Sequence, residues 1–184
     1  NKANEILIDS LTAPNILHIA THGFFKTYDP DKKLSGVENQ GKEENPLLRS
    51  GILLSGASIG LAGGLPYENS YEDGLLTAYE TMNLNLEGTE LVVLSACETG
   101  LGDVKNGEGV YGLQRAFQEA GAETIIFSLW KVADEQTQEM MTLFYQNWLG
   151  KDMTKREAFK QAQLSIKEKY KDPYFWGAFV MVGD

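Results

Sequence analysis

Apolar positions along this chain alternate between short continuous runs and stripes at helical spacing. Ile6, Leu7 and Leu11 lie on one side of a short amphipathic helix predicted over residues 3–13. The run NILHIATHG (15–23) is apolar, partly β-branched and closed by glycine, which suits a single buried strand. Residues 26–50 are polar, carry Lys32, Lys33, Glu43 and Glu44, and are expected to form a mobile loop. SGILLSG (50–56) predicts a second strand and AGGLPYENSYEDG (62–74) another loop. LLTAYETMNLNL (75–86) is expected to be helical at least in its first half, and ELVVLSA (90–96) predicts the third strand. Val110, Leu113, Phe117 and Ala120 give residues 109–120 an apolar helical face, which Gly121 is placed to stop.

ETIIFSLW (123–130) predicts the fourth strand. Two helices follow at 134–149 and 154–170, the first with Met140, Met141, Phe144 and Trp148 as core positions, and YFWGAFVMVG (174–183) closes the chain as a strand. Strands and helices in alternation, joined by short connections, predict an α/β domain around a mostly parallel sheet. Ligands and chemistry in such sheets gather at the carboxyl ends of the strands. His22 ends the first predicted strand and Cys97 lies just past the third, so both are expected on one rim. His18 shares strand parity with His22 but lies four residues earlier, roughly 13 Å back at strand rise. It is expected to be buried and structural.

Composition narrows the function classes. At 184 residues the chain is long enough for one domain with a real core. A net charge of −10 argues against nucleic-acid binding, which needs Lys and Arg to replace counterions. Two His and one Cys allow neither a Cys-rich zinc site nor an internal disulfide, and a lone cysteine fits a reducing, cytoplasmic setting. No apolar run approaches the roughly 20 residues of a membrane span, and NKANEILIDSL is not a signal peptide.

Two motifs are decoys. GEGVYG (107–112) has the G-x-G-x-x-G form, but about eleven residues separate it from the preceding strand and no acidic residue ends the next one. Small residues that let a helix pack closely explain it more simply. GASIG (56–60) has the form of a nucleophile elbow, yet that fold supplies its histidine after the serine. Here both histidines precede Ser58, which is more simply a turn residue. The third constellation, His22 with Cys97, is what a cysteine peptidase needs: a thiolate, an imidazole to manage its proton, and nearby glycines that let backbone donors reach an oxyanion. Against it stands the plain alternative of a small buried cysteine and a hydrogen-bonded core histidine.

ILHIATHGFF, EDGLLTAYE, LVVLSACETGLGDVKNGEGVYGLQRAFQEAGAETIIFSLWKVADEQT and YFWGAFVMVGD, in that order, closely resemble the CHAT domain family, a caspase-like branch often found downstream of tetratricopeptide repeats in bacterial proteins. The resemblance covers nearly the whole chain apart from 26–50. It implies a caspase/separase-like three-layer sandwich with a mostly parallel central sheet, and a His/Cys dyad endopeptidase with no metal or organic cofactor. His22 falls on the family's His-Gly motif and Cys97 on its Ser-Ala-Cys motif. The backbone amides of Gly23 and Cys97 would then form the oxyanion hole.

SLWKVAD (128–134) occupies the place of the loop that shapes the substrate pocket, which makes Ser128, Trp130, Lys131 and Asp134 candidate substrate contacts. Asp134 facing the pocket would favour Lys or Arg before the scissile bond, whereas Lys131 there would favour an acidic residue. The alternative for Asp134 is the N-cap of a helix over 135–149. Relatives usually begin with one or two further strands, so the chain is expected to be the C-terminal fragment of a longer protein, with N-terminal strands and an upstream regulatory repeat domain missing. Its expected partner is a protein or peptide substrate. The competing function is a catalytically inactive caspase-like binding or scaffolding module.

Overall fold

A computed structural model of the protein describes residues 4–25, 45–67, 72–95 and 108–183. The chain opens with helix α1 (Glu5–Asp9), started by Asn4, whose side chain accepts the Leu7 N–H at 2.9 Å. Strand β1 (Ile16–Ile19), β5 (Leu91–Leu94), β6 (Thr124–Ser128) and β7 (Phe179–Gly183) form one sheet in the order β1-β5-β6-β7. The first two pairs in that order are parallel and β7 runs antiparallel to β6. Every residue of β5 and β6 is buried, which is why both read as unbroken apolar runs rather than as an alternation.

Helices cover the two faces. Leu17, Ile19, Val92, Leu94, Ile125 and Phe127 pack with Leu113, Ala116 and Phe117 of α4 (Glu108–Glu119). On the opposite face Leu91, Val93, Ile126 and Phe179 pack against Met140 and Phe144 of α5 (Asp134–Gly150) and Phe159, Ala162 and Ile166 of α6 (Lys155–Lys169). The result is a three-layer α/β sandwich, the architecture expected. Gly121 ends α4 as predicted, with φ of 108°. The close-packing explanation of GEGVYG also holds at Gly112, where an added Cβ would lie 3.0 Å from Ser50 Oγ; Gly107 is outside the described residues.

Five expectations need correction. The run 15–23 is two strands, not one: β1 ends at Ile19, and β2 (His22–Phe25) joins a separate antiparallel sheet, β2-β3-β4, against β3 (Ser50–Leu53). The switch is held at Thr21, whose hydroxyl donates to the Leu53 carbonyl. Leu75–Thr77, expected as helix, is strand β4, because Leu75 and Leu76 pair with β3 and bury themselves beside Ile52. The helix is only α3 (Ala78–Thr81), started by a reciprocal cap in which Thr77 Oγ1 accepts the Glu80 N–H and Glu80 accepts the Thr77 N–H.

The closing strand is preceded by a helical turn, α7 (Pro173–Trp176), capped by Asp172 and started by proline. Finally, residues 45–50, expected as part of a loop, are structured. Pro46–Leu48 forms a 3-10 turn, Leu47 packs on the core, and Ser50 is buried. Residues 26–44, including Lys32 and Lys33, lie outside the described residues. The strand expected over 50–56 stops at Leu53, and Ser58 is exposed in the single turn α2 (Ala57–Gly60).

Gly74 leads into β4 with φ of 82°, and a Cβ there would sit 2.5 Å from the Ala57 backbone nitrogen. Its carbonyl also accepts the Leu54 N–H at 2.8 Å. Gly74→Ala combines a left-handed backbone with a main-chain clash, and is expected to cost about 1–3 kcal/mol or more of stability, read as a lowered urea midpoint.

Candidate functional site

The site builds up from the carboxyl ends of β1 and β5. These strands run parallel with Ile19 opposite Leu94, and the Ser95 N–H continues the ladder by donating to the Ile19 carbonyl at 3.1 Å. Beyond Ile19 the chain passes through Ala20 and Thr21 into β2, whose first residue is His22. A cleft of about 530 Å³ opens there, lined by Ile8 of α1, Leu17 to His22, and Leu53 to Ser55. His22 is exposed, and among the described residues no side chain is hydrogen-bonded to its imidazole. Gly23 is buried in β2 opposite Ile52. Cys97 lies outside the described residues, which stop at Ser95.

His18 is not buried, as its place well back from the rim had suggested; it is exposed and lines the same cleft as His22. The edge position of β1 leaves its ring open on one side, while partial burial of the rest lowers its pKa. Both ring nitrogens have partners. Nε2 lies 3.1 Å from Ser95 Oγ, and Nδ1 lies 3.2 Å from the hydroxyl of Tyr145 on α5. The His18 and Tyr145 ring centroids are 5.8 Å apart. A neutral imidazole offers one donor and one acceptor, and a hydroxyl can answer either, so the ring is satisfied in both tautomers.

The 128–134 segment is braced from behind by α7. Ser128 is buried at the end of β6, and the Leu129 N–H donates to the Ala178 carbonyl at 2.8 Å. Trp130 is half-buried, and its indole N–H donates to the Tyr174 carbonyl at 2.9 Å. The Tyr174 hydroxyl returns the link by donating to the Lys131 carbonyl. The Lys131 side chain is exposed, as is Asp134. Asp134 is not the helix cap: α5 begins at Asp134 itself, with the extended residue Ala133 at the cap position and no side-chain cap bond. As the first helical residue, its carboxylate still meets the positive end of the helix dipole.

A feature with no sequence signal lies under the cleft wall. Glu5 of α1 is 1% exposed and accepts the Gly74 N–H at 2.7 Å. Burial first, then a hydrogen bond with Glu72 and the charges of Glu72 and Glu80, push its carboxyl up to about 8, although the Gly74 N–H pulls the other way. Burial together with Glu72 and Glu80 also raises Asp9, on the same helix.

Among the described residues no helix is long and apolar enough to cross a membrane. The chain is 33% identical over 112 residues to tetratricopeptide repeat protein 28 of Mus musculus, and equally to that of Homo sapiens. Each match covers 59% of this chain but 4% of the length of those much longer proteins. The family model for the CHAT domain matches residues 2–184, so this chain belongs to the CHAT domain family, a caspase-like, peptidase-related module.

Proposed function

We propose that the domain is a cysteine endopeptidase that cleaves protein substrates through an acyl-enzyme, with Cys97 as nucleophile and His22 as acid and base. One observation carries it. β1 and β5 are adjacent, parallel and in register, and in the sequence His22 stands three residues past Ile19 as Cys97 stands three past Leu94. Two chain ends that leave a sheet side by side at equal offsets bring their residues to one rim. The cleft on that rim mixes apolar side chains with His18, Thr21 and Ser55 and includes His22 in its lining.

The Cys97 thiolate attacks the scissile carbonyl carbon, and the backbone N–H groups of Gly23 and Cys97 receive the oxyanion. Collapse breaks the C–N bond, and the departing amine takes its proton from the His22 imidazolium. Water then adds to the thioester, giving a proton to His22, and the acid product leaves as the thiolate is restored. The braced 128–134 segment would present the exposed Lys131 and Asp134 to the side chain before the scissile bond. The relatives' name supports placing this domain under the control of a tetratricopeptide repeat segment elsewhere in a longer protein.

Labelling with peptide acyloxymethyl ketones, varied at the residue next to the ketone, tests the proposal. One thioether at Cys97 is expected, formed faster than with a peptide-free ketone and abolished by prior unfolding. Reaction no faster than that of an unfolded thiol would favour the scaffolding alternative.

A further inference from the structure

We propose that His18 is a positioning residue for this reaction: by joining Tyr145 of α5 to Ser95, it fixes the point at which the chain leaves β5 on its way to Cys97. The inference rests on the peptidase function proposed above. Ser95 is clamped twice against β1, by its backbone N–H on the Ile19 carbonyl and by its hydroxyl 3.1 Å from His18 Nε2. The clamp is anchored rather than floating, because His18 Nδ1 meets the Tyr145 hydroxyl at 3.2 Å. Tyr145 in turn neighbours Phe144, which is fully buried, with ring centroids 5.1 Å apart, and Trp148 at 6.3 Å. Three elements that are separate in sequence therefore meet at one imidazole, and one of its partners, Ser95, stands two residues before the only cysteine of the chain. Placement errors of about 1 Å at a nucleophile cost up to about a hundredfold in rate, which gives such a clamp something to protect.

The lone thiol makes the test direct, since every alkylation reports Cys97. The full chain is compared with Tyr145→Phe, which keeps the ring and loses one hydroxyl, with Ser95→Ala, and with Ser95→Thr, which keeps a hydroxyl. For each, the rate of reaction with the best peptide acyloxymethyl ketone is followed against ketone concentration, and iodoacetamide alkylation is followed against pH to give the thiol pKa. Tyr145→Phe and Ser95→Ala are expected to lower the saturating ketone rate about tenfold with half-saturation unchanged. They should also change the measured thiol pKa, and Ser95→Thr should recover most of the rate.

Saturating rates and thiol pKa equal to wild type in Tyr145→Phe and Ser95→Ala would overturn the positioning role, as would a loss that merely follows a lowered urea midpoint. A wild-type thiol no more reactive than that of His22→Ala would instead bring down the peptidase function, and the positioning role with it.

Discussion

Cys97→Ala is expected to abolish peptide cleavage, and His22→Ala to reduce it by about a hundredfold or more, with neither variant unfolding. The asymmetry follows from the chemistry. Without sulfur there is no acyl-enzyme, whereas without the imidazole a residual thiolate fraction still attacks, and the amine leaves without its acid. General acid–base catalysis typically accounts for about 10²–10⁴ in rate, which sets the expected loss at His22. His22 is exposed at the start of a strand, so its truncation removes little packing. Cleavage by Cys97→Ala at the wild-type rate would end the peptidase proposal. A His22→Ala variant with unchanged turnover and an unchanged thiol pKa would reassign the base.

A second large effect is expected from Glu5, in stability rather than activity. Its carboxyl is raised from 4.5 to about 8 by burial and by Glu72. The folded chain therefore holds a proton that the unfolded chain has already lost. Stability from this group is fully present below pH 4.5, falls as pH rises, and is gone above about pH 8. Each pKa unit is worth about 1.4 kcal/mol, so the swing is a few kcal/mol. Asp9 is shifted in the same direction and adds to it.

Glu5→Gln keeps an oxygen for the Gly74 N–H and places a neutral donor toward Glu72. Its stability should match wild type near pH 5 and exceed it by a few kcal/mol at pH 9, measured by urea unfolding at both pH values. Parallel pH profiles for the two proteins would show that Glu5 is ionised in the fold.

Much of this fold was legible in the sequence because its central strands are buried on both faces. LVVL and TIIFS can only be the inside of a covered sheet, and the helices that cover it announce themselves by apolar stripes. The caps went unread although their spacing was there: Thr-x-x-Glu recurs at Thr77–Glu80 and at Thr154–Glu157, and both are reciprocal caps in the structure. Treating 75–86 as helical from its first residue overlooked that Thr77 marks a start, leaving Leu75 and Leu76 outside it. The break at Ala20–Thr21 had no such mark. ILHI and HGFF are both strand-like, and hydropathy does not report which sheet a strand joins.

Within the site, His22 was legible as a candidate from its place beside a strand end, and Gly23 only through the family resemblance. The partners of His18 were not, because Ser95 and Tyr145 are 77 and 127 residues away and carry no periodic signal. Glu5 escaped for the opposite reason: an acidic residue in a short amphipathic helix looks like solvent-facing charge until Gly74 is seen to reach it.

The division of the strands into two ladders has a mechanical consequence. His22 opens a strand of the small antiparallel sheet, while the chain that leads to Cys97 leaves the four-stranded one. Within a ladder, hydrogen bonds fix the spacing and register of neighbours; between these sheets lies an apolar interface that includes Ile52, Leu76 and Leu17. Such contacts are non-directional, so they set a separation by volume and shape rather than by bond length. Alignment of the proposed His22 and Cys97 pair would thus be a tolerance of the core. A methylene added or removed at Ile52 or Leu76 would shift one ladder against the other, and the proposed peptidase activity would be detuned from inside with every polar group on its rim left intact.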